Sequence, residues 1–177
     1  MLCFPSLYIL YFPFRLPFYG RSFMGFENLA KLMKTYFGVE AEEYPQNRTA
    51  KTYLFKIQPE HIREVAKLLK ENGFNFFHTL APVDYSPKGR ELELNYFFEN
   101  LEEKVWVVIR TEIPLDNPEI DSIHDIYPAL EACEREEWEK FGIQFKGHPR
   151  LKPMLLDDTL QGKWVQRKSY IPKPHRK

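Results

Sequence analysis

The chain has 177 residues and balances 25 Lys and Arg against 25 Asp and Glu for a formal net charge of zero, so no overall basic field exists to hold nucleic acid. That length suits one domain with an extended arm and a buried core of its own. Cys3 and Cys133 are the only cysteines, too few for a four-thiolate iron–sulfur cluster or zinc site and too isolated for a disulfide framework, a pattern that fits a reducing compartment.

Residues 1–23 are apolar and aromatic, carry no acid, and are broken by Pro5, Pro13, Pro17 and the central Arg15. A spanning helix wants about 20 apolar residues without such interruptions, and a charge at mid-bilayer costs at least roughly 2.5 kcal/mol. No basic residue precedes the apolar run, which also makes it a poor signal peptide. The preferred reading starts translation at Met24 and treats 1–23 as an extension outside the native protein, ahead of an interfacial anchor. A start at Met24 is then expected to leave fold and assembly unchanged.

From there the elements follow in order. Phe26, Leu29, Ala30, Leu32, Met33, Tyr36 and Phe37 recur at helical spacing and Gly38 stops them. Thr52 to Ile57 has the β-branched and aromatic content of a strand. Gln58-Pro59-Glu60 opens a helix whose buried stripe is Ile62, Val65, Ala66, Leu68 and Leu69, closed by Asn72-Gly73. Three strands are predicted next, Phe74 to Tyr85, Glu91 to Glu99 and Lys104 to Glu112. Their short polar connections demand antiparallel hairpins. Leu92, Leu94 and Tyr96 alternate with polar residues, which predicts a half-exposed strand, whereas the apolar run Val105 to Ile109 predicts a central one.

The last helix is predicted from Pro128 to Phe141, with Gly142 as its stop. Its apolar face carries Leu130, Trp138 and Phe141 and, at the same period, Glu134 and Glu137. Two carboxylates in such a stripe must find donors, either from the sheet or from another protein. Beyond Gly142 regular patterns stop, yet Phe145, Leu151, Met154, Leu155, Leu156, Trp164 and Tyr170 follow. So many large apolar groups on an arm without its own core indicate that it lies against a surface. The organisation expected is an α+β core at 24–142, a largely antiparallel sheet packed by helices, followed by an extended partner-binding arm at 143–177. Deleting that arm is expected to leave the core folded.

Candidate chemistry is sparse. His61, His78, His124, His148 and His175 contain no pair at helical ligand spacing, and no HExxH, nucleophile elbow, glycine-rich phosphate loop or dinucleotide fingerprint occurs. The acids Glu134, Glu136, Glu137 and Glu139 admit a general acid/base pair, but a charged helix face explains such a run more simply. The strand aromatics Phe74, Phe76, Phe77, Tyr85, Tyr96, Phe97 and Phe98 admit a base-stacking sheet for RNA, although few basic residues stand beside them.

One segment is distinctive. Glu134-Arg135-Glu136, then Glu139, Phe141, His148, Lys152, Met154 and Leu155 keep the order and spacing of the signature of the 30 kDa subunit of respiratory complex I, the proton-pumping NADH:quinone oxidoreductase. The chain resembles that family, which also occurs in membrane-bound energy-converting hydrogenases. Upstream, His78 to Tyr85, Glu93 to Phe98, Val105 to Arg110, Ile120 to Ile123 and Tyr127 to Leu130 are similar to its three-strand core and the approach to its final helix. Lys140 departs, standing at an apolar slot, and Leu160-Gln161-Gly162 and Val165 to Pro172 depart from the family's usual ending.

The resemblance implies a non-catalytic scaffold subunit in the peripheral arm of a complex-I-like membrane redox complex. It implies no cofactor in this chain, with iron–sulfur clusters and quinone or a nickel–iron centre in partner subunits. It implies packing against the large subunit, the homologue of the hydrogenase large subunit that helps form the quinone site, and against neighbouring iron–sulfur subunits. The place implied is the cytoplasmic face of the cell membrane, reached only through the complex. The equivalent subunit of an energy-converting nickel–iron hydrogenase or a sulfur-reducing complex is the alternative. The partner-binding residues implied are Glu134, Arg135, Glu136, Trp138, Glu139, Phe141, Gly142, Ile143, Phe145, Gly147, His148, Pro149, Leu151, Lys152, Met154 and Leu155.

Overall fold

The computed structural model describes residues 25–44 and 50–172, so the expected extension at 1–23 lies outside the described residues. Helix α1, Phe26–Phe37, ends where Gly38 adopts a left-handed φ of 67° and returns its amide to Lys34 and Met33. Strands β1, Glu42–Glu43, and β2, Lys51–Lys56, come next. Pro59–His61 forms a single tight turn that leads into helix α2, Ile62–Glu71. Its fixed proline φ suits a first turn, and its missing N–H costs nothing there.

Strands β3, Phe76–Asp84, β4, Glu91–Asn100, and β5, Val105–Pro114, lie within a residue or two of their predicted bounds. Both β3–β4 and β4–β5 are antiparallel. Among the described residues they form a five-stranded sheet in the order β1-β2-β5-β4-β3, with β2 parallel to β5. The long crossover that a parallel pair needs is supplied by α2, β3 and β4. This pairing places the apolar β5 between β2 and β4, as its continuous Val and Ile content demands.

The cross-strand pairs Phe98 with Val107 and Tyr96 with Ile109 share one face of the sheet. Leu29 and Met33 of α1 and Val65 and Leu69 of α2 join them in a single buried core. Strand β6, Glu119–Asp121, precedes helix α3, Leu130–Phe141, whose Leu130 and Phe141 enter the same core. The result is the α+β arrangement read from the sequence.

Two expectations change and one alternative is removed. Strand β4 is not half-exposed, because Glu93 and Asn95 on its polar face are only 6% and 5% exposed. They shield each other: Asn95 donates to Glu93 at 2.8 Å, and Arg110 donates to Asn95 at 2.9 Å and pairs with Glu93 at 3.3 Å. The core does not stop at Gly142 either. Ile143 and Phe145 are buried within it, and strand β7, Gln144–Lys146, pairs in parallel with β6. The arm therefore begins at Gly147, which turns the chain with a φ of 82°. Finally, Phe74, Phe77, Tyr96 and Phe98 are core residues, which removes them from any base-stacking surface.

Candidate functional site

Helix α3 carries three sets of charged side chains, and each set meets a different part of the molecule. Toward the core, Glu134 is fully buried and accepts hydrogen bonds from the Ile123 amide at 3.0 Å and from the Ser122 hydroxyl. Ser122 Oγ also lies 2.9 Å from His124 Nδ1, and Arg63 donates to the Ser122 carbonyl and to Asp125. Glu134 thus ties the loop after β6 to the helix. Burial pushes its pKa up to about 7, against the pull of Ser122 and Ile123.

Glu137, one turn on, is 8% exposed, and among the described residues its Oε2 has no hydrogen-bond partner. Burial raises its pKa to about 7 as well. A carboxyl raised in the folded state favours folding at low pH and loses that contribution as pH rises from its unfolded value toward and past the folded one. A rise from 4.5 to about 7 corresponds to roughly 3 kcal/mol. Glu137→Gln is expected to stabilise the isolated chain by about 1–3 kcal/mol at pH 8, with the gain vanishing toward pH 5. Denaturant unfolding at the two pH values checks this, and equal stability of variant and parent at pH 8 contradicts it.

The second face of α3 holds the arm. Arg150 pairs with Glu131, and His148 Nε2 donates to the Glu131 carbonyl at 2.9 Å. Arg135 donates to the carbonyls of Lys152 at 2.5 Å and Pro153 at 2.6 Å. Glu139 accepts three consecutive amides, Met154 at 3.2 Å, Leu155 at 2.9 Å and Leu156 at 3.0 Å. An arginine thus takes successive carbonyls and a carboxylate takes the successive amides that follow, so residues 152–156 are gripped by their backbone. Burial works to raise the Glu139 pKa, but the amides of Leu155, Leu156 and Met154 outweigh it and hold the group below the usual carboxylate range.

The third face meets the end of the arm. Lys140 pairs with Glu136 one turn away, and its carbonyl accepts from the Gln166 amide at 3.2 Å. The residue that departs from the apolar slot therefore has an intrachain partner. Trp164 adopts a φ of 46°, a left-handed conformation that costs a non-glycine residue about 1–2 kcal/mol. Its indole lies over Gly142, where a Cβ would come within 2.7 Å of the ring. With its own φ of 74°, Gly142 must be glycine both to end α3 and to receive the indole. Arg167 donates to the carbonyls of Phe141 and Leu115, and the Lys168 amide reaches Asp84 at 2.8 Å.

These contacts place the signature residues. Glu134, Arg135, Glu136 and Glu139 bond within the chain, while Phe141, Ile143 and Phe145 are buried in the core, and Trp138 and Leu151 pack half-buried against it. Gly147, His148 and Pro149 turn the chain back along α3. Lys152 contributes its carbonyl and leaves its side chain exposed. Met154 and Leu155 project large apolar side chains that are 40% and 58% exposed. Ser122, Asp84 and Arg167 are the residues sequence reasoning missed. Their partners, the Glu134 carboxylate, the Lys168 amide and the Phe141 and Leu115 carbonyls, lie far away in the chain, which no local pattern announces.

Among the described residues no cluster of His, Cys, Asp or Glu is placed to hold a metal, and no helix is long and apolar enough to cross a membrane. The Cys133 thiol is pushed up by burial and by the neighbouring carboxylates of Glu136, Glu137 and Glu134, which favours the protonated form over the thiolate that ligates metals.

Residues 55–176 match the family model described as respiratory-chain NADH dehydrogenase, 30 kDa subunit. The chain is 36% identical over 121 residues to a subunit of the F(420)H(2) dehydrogenase of Methanosarcina mazei, covering 68% of this chain and 76% of that protein. It is 32% identical over 120 residues to a subunit of the NADH-quinone oxidoreductase of Acidothermus cellulolyticus, covering 66% of this chain but only 62% of that relative. Among solved structures, a chain of an archaeal membrane-bound sulfane sulfur reductase superposes with a TM-score of 0.72 at 29% identity, over 82% of this chain and 84% of its own. A trypsin-resistant fragment of Nqo5 superposes with a TM-score of 0.61 at 22% identity, over 71% of this chain and 98% of the fragment, a likeness of fold.

Proposed function

The chain belongs to the family of the 30 kDa subunit of respiratory-chain NADH dehydrogenase, and from that membership we propose that it is a scaffold subunit of a complex-I-like respiratory complex. It binds the large quinone-site subunit and fixes the position of the neighbouring iron–sulfur subunits. It carries no redox cofactor, and it sits on the cytoplasmic face of the membrane only through the complex. The observation that carries this reading is the backbone grip of Arg135 and Glu139 on residues 152–156. Of the signature charges, Arg135 and Glu139 are spent on presenting an arm and Glu134 and Glu136 on bonds to the loop after β6 and along α3. Placement is a function in its own right where electrons pass between neighbours, because a displacement of about 1 Å can cost roughly a hundredfold in rate.

A second reading, the equivalent subunit of a hydrogenase-type or sulfur-reducing complex, is favoured by the likeness to the sulfane sulfur reductase chain over 82% of the sequence. Purification of the native assembly through a tag on this chain tests both. The large subunit is expected to co-purify, together with quinone reductase activity in the first case and with nickel or sulfur reduction in the second. The separated chain is expected to contain no stoichiometric iron or acid-labile sulfide. Recovery of the chain without any large subunit contradicts both readings.

A further inference from the structure

A line of three hydrogen-bonding side chains runs outward from the core: Glu134 of α3, then Ser122, then His124 in the loop after β6. Glu134 and Ser122 are fully buried, whereas His124 is partly exposed. The Ser122 hydroxyl bonds to Glu134 Oε2 and lies 2.9 Å from His124 Nδ1. Among the described residues His124 Nε2 has no hydrogen-bond partner. The ring of His148 stands 5.6 Å away, but the Glu131 carbonyl engages its Nε2 and the Arg150 amide its Nδ1. The line therefore ends at His124.

A hydroxyl has one proton to give, and this fixes the direction of the line. With Glu134 ionised, Ser122 must donate to the carboxylate, so its oxygen accepts from His124 and the imidazole carries its proton on Nδ1. With Glu134 neutral, both side-chain bonds reverse. The carboxyl O–H then donates to Ser122, Ser122 donates to His124 Nδ1, and the imidazole proton sits on Nε2. The same contacts are satisfied in both arrangements, and the Ile123 amide bonds to Glu134 Oε1 in each.

The surroundings decide which group changes charge. Arg63 takes Asp125 through two bonds, at 3.0 and 2.7 Å, and Arg150 takes Glu131, so neither neighbouring carboxylate is left unspent beside His124. Burial and the charge of Glu134 keep the Tyr96 hydroxyl of β4 protonated, and burial with the acids of α3 does the same for the Cys133 thiol. Burial pushes Glu134 itself up to about 7. Glu137, raised to about 7 as well, has no such line, since its Oε2 lacks a partner among the described residues.

We infer that Glu134, Ser122 and His124 form a proton relay, through which the buried acid of α3 exchanges its proton with water at His124 Nε2 while the fold stays closed. A proton bonds to Nε2, the Nδ1–H bond breaks as Ser122 Oγ gains that proton, and Ser122 passes its own proton to Glu134 Oε2. One proton enters, the carboxylate loses its charge, and the imidazole ends neutral with its proton on the other nitrogen. The tie between α3 and the loop after β6 thus changes charge near neutral pH without losing a contact. This inference does not depend on the scaffold reading.

Nitrogen NMR of the full-length chain tests the relay, with His124→Gln identifying the signals. As pH falls from about 9 through about 7, His124 Nδ1 is expected to lose its proton while Nε2 gains one. Ordinary titration of an imidazole that starts with Nδ1–H adds a proton at Nε2 and leaves the first in place, so the two behaviours are opposite at Nδ1. Ser122→Thr keeps a hydroxyl and is expected to follow the parent, whereas Ser122→Ala is expected to abolish the exchange between the nitrogens. An Nδ1 that stays protonated throughout in the parent overturns the relay, as does an exchange that persists in Ser122→Ala. If the alanine variant fails to fold, the parent and Ser122→Thr still decide, because the loss of the Nδ1 proton is read in each without it.

Discussion

Replacing Glu139 by glutamine is expected to release residues 152–156 from α3 and to abolish assembly while the core stays folded. The carboxylate now accepts three amides at 2.9–3.2 Å. A glutamine of the same shape keeps the oxygen that accepts from Met154 and Leu156 but loses the charge and turns an NH₂ toward the Leu155 N–H, donor against donor. Hydrogen bonds to charged groups contribute about 1.5–3 kcal/mol each, and the arm from Gly147 onward has little buried apolar surface to offset their loss. Hydrogen exchange at Met154, Leu155 and Leu156 is therefore expected to accelerate in the variant, with exchange in β4 and β5 unchanged. Because the folded Glu139 lies below its usual pKa of 4.5, the grip is complete above that value and fails as pH falls through the folded one. Acid is expected to reproduce in the parent chain what the variant shows at neutral pH. Unchanged protection of the three amides in the glutamine variant contradicts the role given to Glu139.

The sequence was most legible where local chemistry decides. Gly38 and Gly142 close their helices because glycine alone accepts a left-handed φ without cost, and Pro59 opens a turn because its φ is already set. The hairpins β3–β4 and β4–β5 follow from short polar links and alternating apolar residues. What could not be read depends on chain segments that meet only after folding. The parallel pairing of β2 with β5 has no local signature. Glu93 and Asn95 look like solvent-facing residues until Arg110 is placed beside them. On α3, the apolar stripe correctly marked Glu134 and Glu137 as buried, but only the structure distinguishes the acid that finds Ser122 and Ile123 from the one whose Oε2 has no partner among the described residues. The signature's regular order of charges was legible, whereas its physical meaning, a grip on the chain's own backbone, needed the fold.

Two truncations are expected to separate fold from assembly. A chain ending at Gly142 loses β7 together with the buried Ile143 and Phe145. Their burial contributes about 1.5–3 kcal/mol each before any cavity cost, and β6 loses its partner. Against a total of about 5–15 kcal/mol for a domain, that loss is expected to leave the shorter chain unfolded or to lower its melting temperature markedly. A chain ending at Gly147 keeps β7 and both core residues and gives up only the gripped arm, so it is expected to melt cooperatively with a modest loss. Attached to a tag and expressed beside the other subunits, this second chain tests the scaffold role most directly through the amount of large subunit that co-purifies with it. A folded core that recovers no large subunit is the predicted result; a folded core that recovers as much as the full-length chain contradicts the assignment of assembly to the arm.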